Sequence, residues 1–126
     1  MEDTILQTNL EWLEDLLNNK LVHAKIYYYQ EWDVYRLDVN SKMFGMFGKK
    51  EENIILTLKN DPLENDFLVK NVKGVVPGYY ANKKHWITIY LNDTELDFDK
   101  IENLVLASYK SVVAKFNKKD KEIYAI

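Results

Sequence analysis

Three short runs of strand-forming residues follow one another in the middle of the chain, with only brief polar connections between them. The runs cover residues 34–39, 42–47 and 53–59, and the connections are Asn40-Ser41 and the five residues from 48 to 52. Extended runs joined by such short polar connections are typical of neighbouring antiparallel strands. The sequence therefore predicts a three-stranded antiparallel meander.

A helix is predicted before the meander, over residues 4–18, because most apolar residues there fall on one helical stripe. Glu11, Glu14 and Asp15 lie on the opposite side, which we interpret as a solvated face. A metal site or a surface for a protein partner is the weaker interpretation of these acids. Residues 21–32 are rich in strand formers but show no clean alternation, so the prediction there is an irregular or short extended connection.

Two helix starts are predicted after the meander. Asp61 precedes Pro62, and this pair favours a short helix from 62 to about 70. Asp99 followed by Glu102 forms a plausible capping box for the last helix.

Extended segments at residues 75–76 and 85–91 separate these two helices. The charged tail at 118–122 is predicted to be solvated and frayed. Together the elements predict an α+β fold in one domain spanning residues 1–126, with a mainly antiparallel sheet, helices packed on it and the order α-β-β-β-α-β-β-α.

Composition narrows the classes of function. A chain of 126 residues that is 47% hydrophobic can bury a single core, and the absence of cysteine excludes disulfides and thiolate chemistry. His23 and His85 are too far apart in sequence to suggest a metal site, and neither a metal nor a cofactor is predicted. The start of the chain lacks a basic leader, and no apolar run approaches a membrane span of about 18 residues. A cytoplasmic protein without a membrane partner is expected.

The charge of the chain is unevenly distributed. The net charge is -3, with -5 in residues 1–33, +3 in residues 34–91 and -1 in residues 92–126. Domains that bind nucleic acid are usually strongly basic, since lysine and arginine neutralise the phosphates. A basic patch is therefore predicted only locally, in the central region.

Several ordered motifs carry a resemblance to a known family. Residues 76–86 read V-P-G-Y-Y-A-N-K-K-H-W, an S-Y pair stands at 108–109, and K-M-F and L-K stand at 42–44 and 58–59. These motifs resemble those of the bacterial MmcQ/YjbR family, whose members carry a P-G-Y-H-x-N-K-x-H-W block. The resemblance implies the α+β fold of that family and a DNA-binding role of the double-wing type. The family has histidine where this chain has Tyr80.

The matched motifs supply the candidate binding residues. On the functional interpretation, four lysines contact phosphates, and a histidine and a tryptophan serve as polar or stacking neighbours. On the structural interpretation, the lysine stems cover apolar sheet surface and the tryptophan packs. The candidate nucleic-acid-binding residues are Lys42, Lys59, Lys83, Lys84, His85 and Trp86.

Three classes of function remain open, and the first is preferred. It is a non-enzymatic protein that binds DNA weakly and without sequence preference. The second is a module for a protein or small ligand, using the abundant tyrosines. An enzyme is the least expected class, because Ser108 lacks a nucleophile motif and is expected to bond to a carbonyl one turn earlier. Tyr109 is expected to anchor the last helix through a packed ring.

Overall fold

The computed structural model describes residues 4–78 and 84–123 of the chain. Its elements, in chain order, are α1 (Thr4–Lys20), β1 (Ala24–Tyr29), β2 (Val34–Val39), β3 (Lys42–Lys50), β4 (Asn53–Lys59), α2 (Pro62–Asn71), β5 (Val75–Pro77), β6 (Trp86–Tyr90), α3 (Phe98–Val113) and α4 (Lys118–Ile123).

The strands form one six-stranded sheet in the order β1-β2-β3-β4-β6-β5. Every pair of neighbouring strands is antiparallel. The first four strands form a continuous meander, and β6 enters between β4 and β5 after the chain has passed through α2. The prediction of an α+β domain with an antiparallel sheet and packed helices is confirmed.

The segment before the predicted meander is a strand, so of the two alternatives predicted for residues 21–32 the short extended one is confirmed and the irregular one is wrong. All six residues of β1 pair with β2, from Ala24 opposite Val39 to Tyr29 opposite Val34. The strand lies at the edge of the sheet, where exposed Tyr27 and Tyr28 replace the apolar residues of a buried strand. Edge position removes the clean alternation that sequence patterns depend on.

The helix caps follow the prediction at α2 and depart from it at α3. The Asp61 carboxylate accepts hydrogen bonds from two backbone amides of the first turn of α2, as predicted. The cap of α3 is Asp97, which accepts from the Lys100 amide, so the capping box predicted at Asp99 is wrong. Asp99 instead lies in the first turn, where its carboxylate interacts favourably with the positive end of the helix dipole.

The tail of the chain is helical over α4, although it was predicted to be frayed. The Asn117 side chain accepts from the Asp120 amide and caps this helix. No residue of α4 within the described part is buried, so the expectation of a solvated tail is confirmed.

The core lies between the sheet and the two longest helices. Leu13 and Leu17 of α1 and Val105 of α3 are fully buried against strand residues such as Leu37 and Leu56. Among the described residues, no helix is long and apolar enough to cross a membrane.

A bulge in β3 aims one large side chain into this core. Leu37 pairs with Gly45, and Asp38 pairs with Met43, so Phe44 is an extra residue on β3. Phe44 is fully buried and meets the ring of Tyr109 edge-on, with 5.8 Å between the ring centroids. The bulge therefore places an aromatic contact where α3 crosses the sheet.

Ser108 and Tyr109 fix α3 to the rest of the molecule. The Tyr109 ring is fully buried, and its hydroxyl donates to the Val22 carbonyl at 2.7 Å, which confirms its predicted anchoring role. The buried Ser108 hydroxyl donates to the carbonyl oxygen of Lys59 in β4. The expected bond to a carbonyl one turn earlier is therefore wrong, since the hydroxyl joins the helix to the sheet.

The turn that leads out of β5 requires a glycine. The Gly78 amide donates to the Trp86 carbonyl at 2.9 Å. A Cβ at Gly78 would lie 2.6 Å from the Trp86 Cβ and 2.9 Å from its carbonyl carbon. These distances are too short for any side chain, so the close approach of the two backbones depends on glycine.

Replacing Gly78 by alanine is expected to lower the free energy of unfolding by about 2 kcal/mol, because the two backbones must separate. Gly48→Ala is the matched control, since its Cβ would meet a Val34 methyl group at 3.2 Å, where a small shift suffices. Urea unfolding of both variants measures the difference. Equal stability of the two variants would contradict the steric role of Gly78.

Candidate anion-binding site

The end of β4 brings two of the sequence-predicted residues together. Lys59 is the last residue of β4, and His85 lies in the turn that precedes β6. The His85 carbonyl accepts from the Asn60 amide at 2.9 Å, and Trp86 pairs with Lys59 across the strands. Trp86 is only half-buried, so its ring is less enclosed than a core residue.

The other predicted lysines take different positions. Lys84 lines a separate cavity, whose lining also includes Pro62. Lys42 is exposed at the start of β3, opposite Val39, and does not line the cavity that Lys59 lines. Lys83 lies outside the described residues. One surface that contains all four lysines therefore stays a prediction.

A cavity of about 510 Å³ surrounds Lys59 and His85. Four segments form its wall: the end of β4, the start of α2, the turn before β6 and the C-terminal part of α3. Lys110 and Ser111 line it from α3, and Lys115 lines it from just beyond that helix. The site is therefore assembled from residues far apart in the sequence.

Sequence reasoning missed Lys110 and Lys115. Lys110 follows directly after the S-Y pair, and the Ser108 hydroxyl bonds to the Lys59 carbonyl. That hydrogen bond brings the following turn of α3 to the end of β4. Lys110 is part of the S-Y-K-S string. Its position beside Lys59 depends on the hydrogen bond between Ser108 and Lys59, which are 49 residues apart, and the sequence alone does not show that contact.

The positive charges in this cavity lie close together. Burial, and then the ammonium group of Lys115 beside it, lower the pKa of Lys59. Among the described acids, none forms an ion pair with Lys59, Lys110 or Lys115. Two neighbouring ammonium groups repel each other unless an anion lies between them.

Asp61 is the one acid among the described residues that line the cavity. Its Oδ2 atom accepts from the amides of Leu63 and Glu64, at 3.1 and 3.2 Å. The carboxylate is therefore engaged in capping α2 and offsets only part of the lysine charge. The arrangement suits a bound anion better than a bound metal cation.

A separate polar cluster lies near the β1 edge of the sheet. Tyr27 donates to the buried Asp38 carboxylate at 2.6 Å, and Arg36 forms an ion pair with Asp38 at 3.3 Å. The hydrogen bond to Asp38, with burial second, raises the pKa of Tyr27. Each charged group here has a partner, so this cluster serves the packing of β1 on β2.

The fold and site together define a small α+β domain with a meander, a helix that crosses it and a cationic cavity at one end of the sheet. The YjbR family model matches residues 21–111. This stretch includes β1 to β6, most of α3 and two of the three cavity lysines, while Lys115 lies just beyond it. The chain belongs to the YjbR family.

Individual proteins agree with this assignment. The chain is 32% identical to the uncharacterised protein YjbR of Escherichia coli K12 over 85 residues, which cover 68% of this chain and 71% of that protein. It is 34% identical to the uncharacterised protein YyaQ of Bacillus subtilis 168, over 64% of this chain and 65% of that protein.

A solved structure agrees as well. The crystal structure of a Deinococcus radiodurans protein with the DUF419 family domain matches with a TM-score of 0.78 and 25% identity. The match covers 90% of this chain and 86% of that one. The six-stranded sheet with its packed helices is thus a fold already seen in a crystal.

Replacing Lys115 by glutamine is expected to stabilise the protein at low ionic strength by only about 0.4 kcal/mol, the size typical of an exposed charge pair, because it removes the repulsion of Lys59. Lys119→Gln on the exposed helix α4 is the matched control and should change little. Urea unfolding at low and high concentrations of sodium chloride measures both, and the gain should shrink as salt screens the charges. A destabilised Lys115→Gln variant would show that the two ammonium groups do not repel.

The pH dependence of stability provides a second measurement. The folded-state pKa of Lys59 lies below its ordinary value of 10.5, so just below that value the unfolded chain holds more protons. The contribution of Lys59 to the free energy of unfolding therefore rises as pH increases towards 10.5. This rise in the free energy of unfolding should be smaller in Lys115→Gln than in the unmodified protein, because Lys115 contributes to the lowered pKa of Lys59. A larger rise in the variant would show that Lys115 does not lower that pKa.

Proposed function

We propose that this YjbR-family protein is a non-enzymatic protein that binds the phosphate backbone of DNA weakly and without sequence preference. The observation that carries the proposal is the cavity in which Lys59, Lys110 and Lys115 meet beside His85. These lysines form no ion pair with a described acid and can supply the electrostatic attraction on which backbone binding depends. The proposed role is the one that the family resemblance implies. The proposed binding residues differ, because they include Lys110 of α3 and Lys115 just beyond that helix.

The lack of sequence preference follows from the kind of groups present. Lysine ammonium groups bind phosphates as point charges, and base recognition needs side chains that reach the base edges in a groove. Half-buried Trp86, beside Lys59, is available for partial stacking on an unpaired base. The acidic net charge of -3 keeps the interaction weak by opposing long-range attraction.

The non-enzymatic part of the proposal is supported by the state of Ser108. This hydroxyl is fully buried and donates to the Lys59 carbonyl, so it has neither access to a substrate nor a free proton. Ser111, which lines the cavity, donates to the Ser108 carbonyl at 2.9 Å. Both serines near the lysines are thus engaged in structure.

A module for a protein partner is the second candidate. It is favoured by the aromatic surface near the β1 edge, where Tyr27, Tyr28 and Trp32 are exposed by 39%, 50% and 43%. Tyrosine and tryptophan are enriched where proteins bind one another. Replacing Tyr28 and Trp32 by serine should leave DNA binding unchanged, and loss of DNA binding in that variant would move the site to this surface.

Titration of a fluorescent DNA duplex at several salt concentrations tests the proposal. Three lysines that each replace a counterion predict a slope of about -3 for the logarithm of the binding constant against the logarithm of salt. The double variant Lys110→Gln with Lys115→Gln should reduce that slope by about 2. Affinity that does not depend on salt would contradict backbone binding.

The matched control is the double variant Lys25→Gln with Lys100→Gln, which changes the net charge equally. Lys25 lies on the edge strand, and Lys100 is ten residues from Lys110, about 15 Å along the helix. This variant should keep most of the affinity. An equal loss in both double variants would show that net charge, and not the cavity, controls binding.

A further inference from the structure

The cavity at the end of β4 concentrates its charge at one place. Lysines that follow a DNA backbone are usually spread along a groove, because each phosphodiester carries one negative charge. Here Lys59 and Lys115 lie side by side, and Lys110 lines the same wall. Within the backbone contact proposed above, such a cluster suits a phosphate group that carries more than one negative charge.

The charges of the residues that line the cavity indicate how much negative charge a bound ligand should carry. Three lysines and one aspartate are among the described residues that line the cavity, so its lining carries an excess of two positive charges. A phosphomonoester carries about -1.5 to -2 charges near pH 7, whereas an internal phosphodiester carries about -1. The balance therefore matches a phosphomonoester.

The size of this open cavity is compatible with that ligand. A volume of about 510 Å³ falls within the ~300–1,000 Å³ typical of ligand pockets. The start of α2 faces it through Asp61 and Pro62, and the Asp61 carboxylate occupies the first amides of that helix, so the lysines supply the positive field. His85 supplies a ring for a hydrogen bond or stacking at the open side.

We infer that this cavity binds a phosphomonoester dianion, held by Lys59, Lys110 and Lys115. The inference rests on the proposed function, and the natural form of the ligand is then the 5′-phosphorylated end of a DNA strand. The end of a strand can enter a pocket, whereas an internal phosphate is flanked by sugars on both sides. The protein would thus prefer broken or processed DNA to continuous duplex.

Paired oligonucleotides test the inference. Two single strands of the same sequence carry fluorescein at the 3′ end, one with a 5′-phosphate and the other with a 5′-hydroxyl group. Fluorescence anisotropy at near-physiological salt should show about tenfold tighter binding of the phosphorylated strand, as expected when one charge-assisted contact is added. Lys110→Gln with Lys115→Gln should abolish the preference, and Lys25→Gln with Lys100→Gln should keep it.

The outcomes separate the inference from the proposed function. Equal, salt-dependent binding of both strands overturns the phosphomonoester site and leaves backbone binding in place. Failure of both strands to bind at low salt overturns DNA binding. In that case, thermal unfolding with ribose 5-phosphate decides: a rise in Tm that needs Lys110 and Lys115 supports the site with a small phosphorylated ligand, and no rise overturns it.

Discussion

The hydrogen bond from the buried Tyr109 hydroxyl to the Val22 carbonyl fixes the rotation of α3 about its own axis. The same helix is held to the sheet by the bond from Ser108 to Lys59, and its ring contact with Phe44 fixes its height above β3. These three contacts place the turn of α3 that carries Lys110 beside the end of β4. The position of the cationic cavity is therefore a consequence of how one helix is anchored.

Much of this fold could be predicted from the sequence because its signals are local. Two short polar connections, each of two residues in the structure, join β2 to β3 and β3 to β4, and the Asp61-Pro62 pair determines the start of α2. The edge strand β1 was predicted only as one of two alternatives, because Tyr27 and Tyr28 face solvent and do not alternate with polar residues. Asp97 was missed as a cap because two aspartates, at 97 and 99, compete for the same role within three residues.

The candidate site was only partly predictable for a different reason. Lys59 and His85 stand in recognisable motifs, but Lys110 and Lys115 join them only after α3 has crossed the sheet. Charge summed along the sequence could not reveal the cluster, since residues 92–126 are slightly acidic as a whole. A net charge describes a segment, whereas a binding site depends on which few side chains share a cavity.

The two edges of the sheet differ in how they affect the behaviour of the protein at high concentration. β5 has three residues and ends in a proline, so it offers little backbone for pairing with another chain. β1 has six residues, and no described strand covers its outer side. Exposed Lys25 lies within β1, and a second copy pairing there would bring another lysine close to it. Colloidal stability of this protein therefore depends on β1 and on the charge that this strand carries.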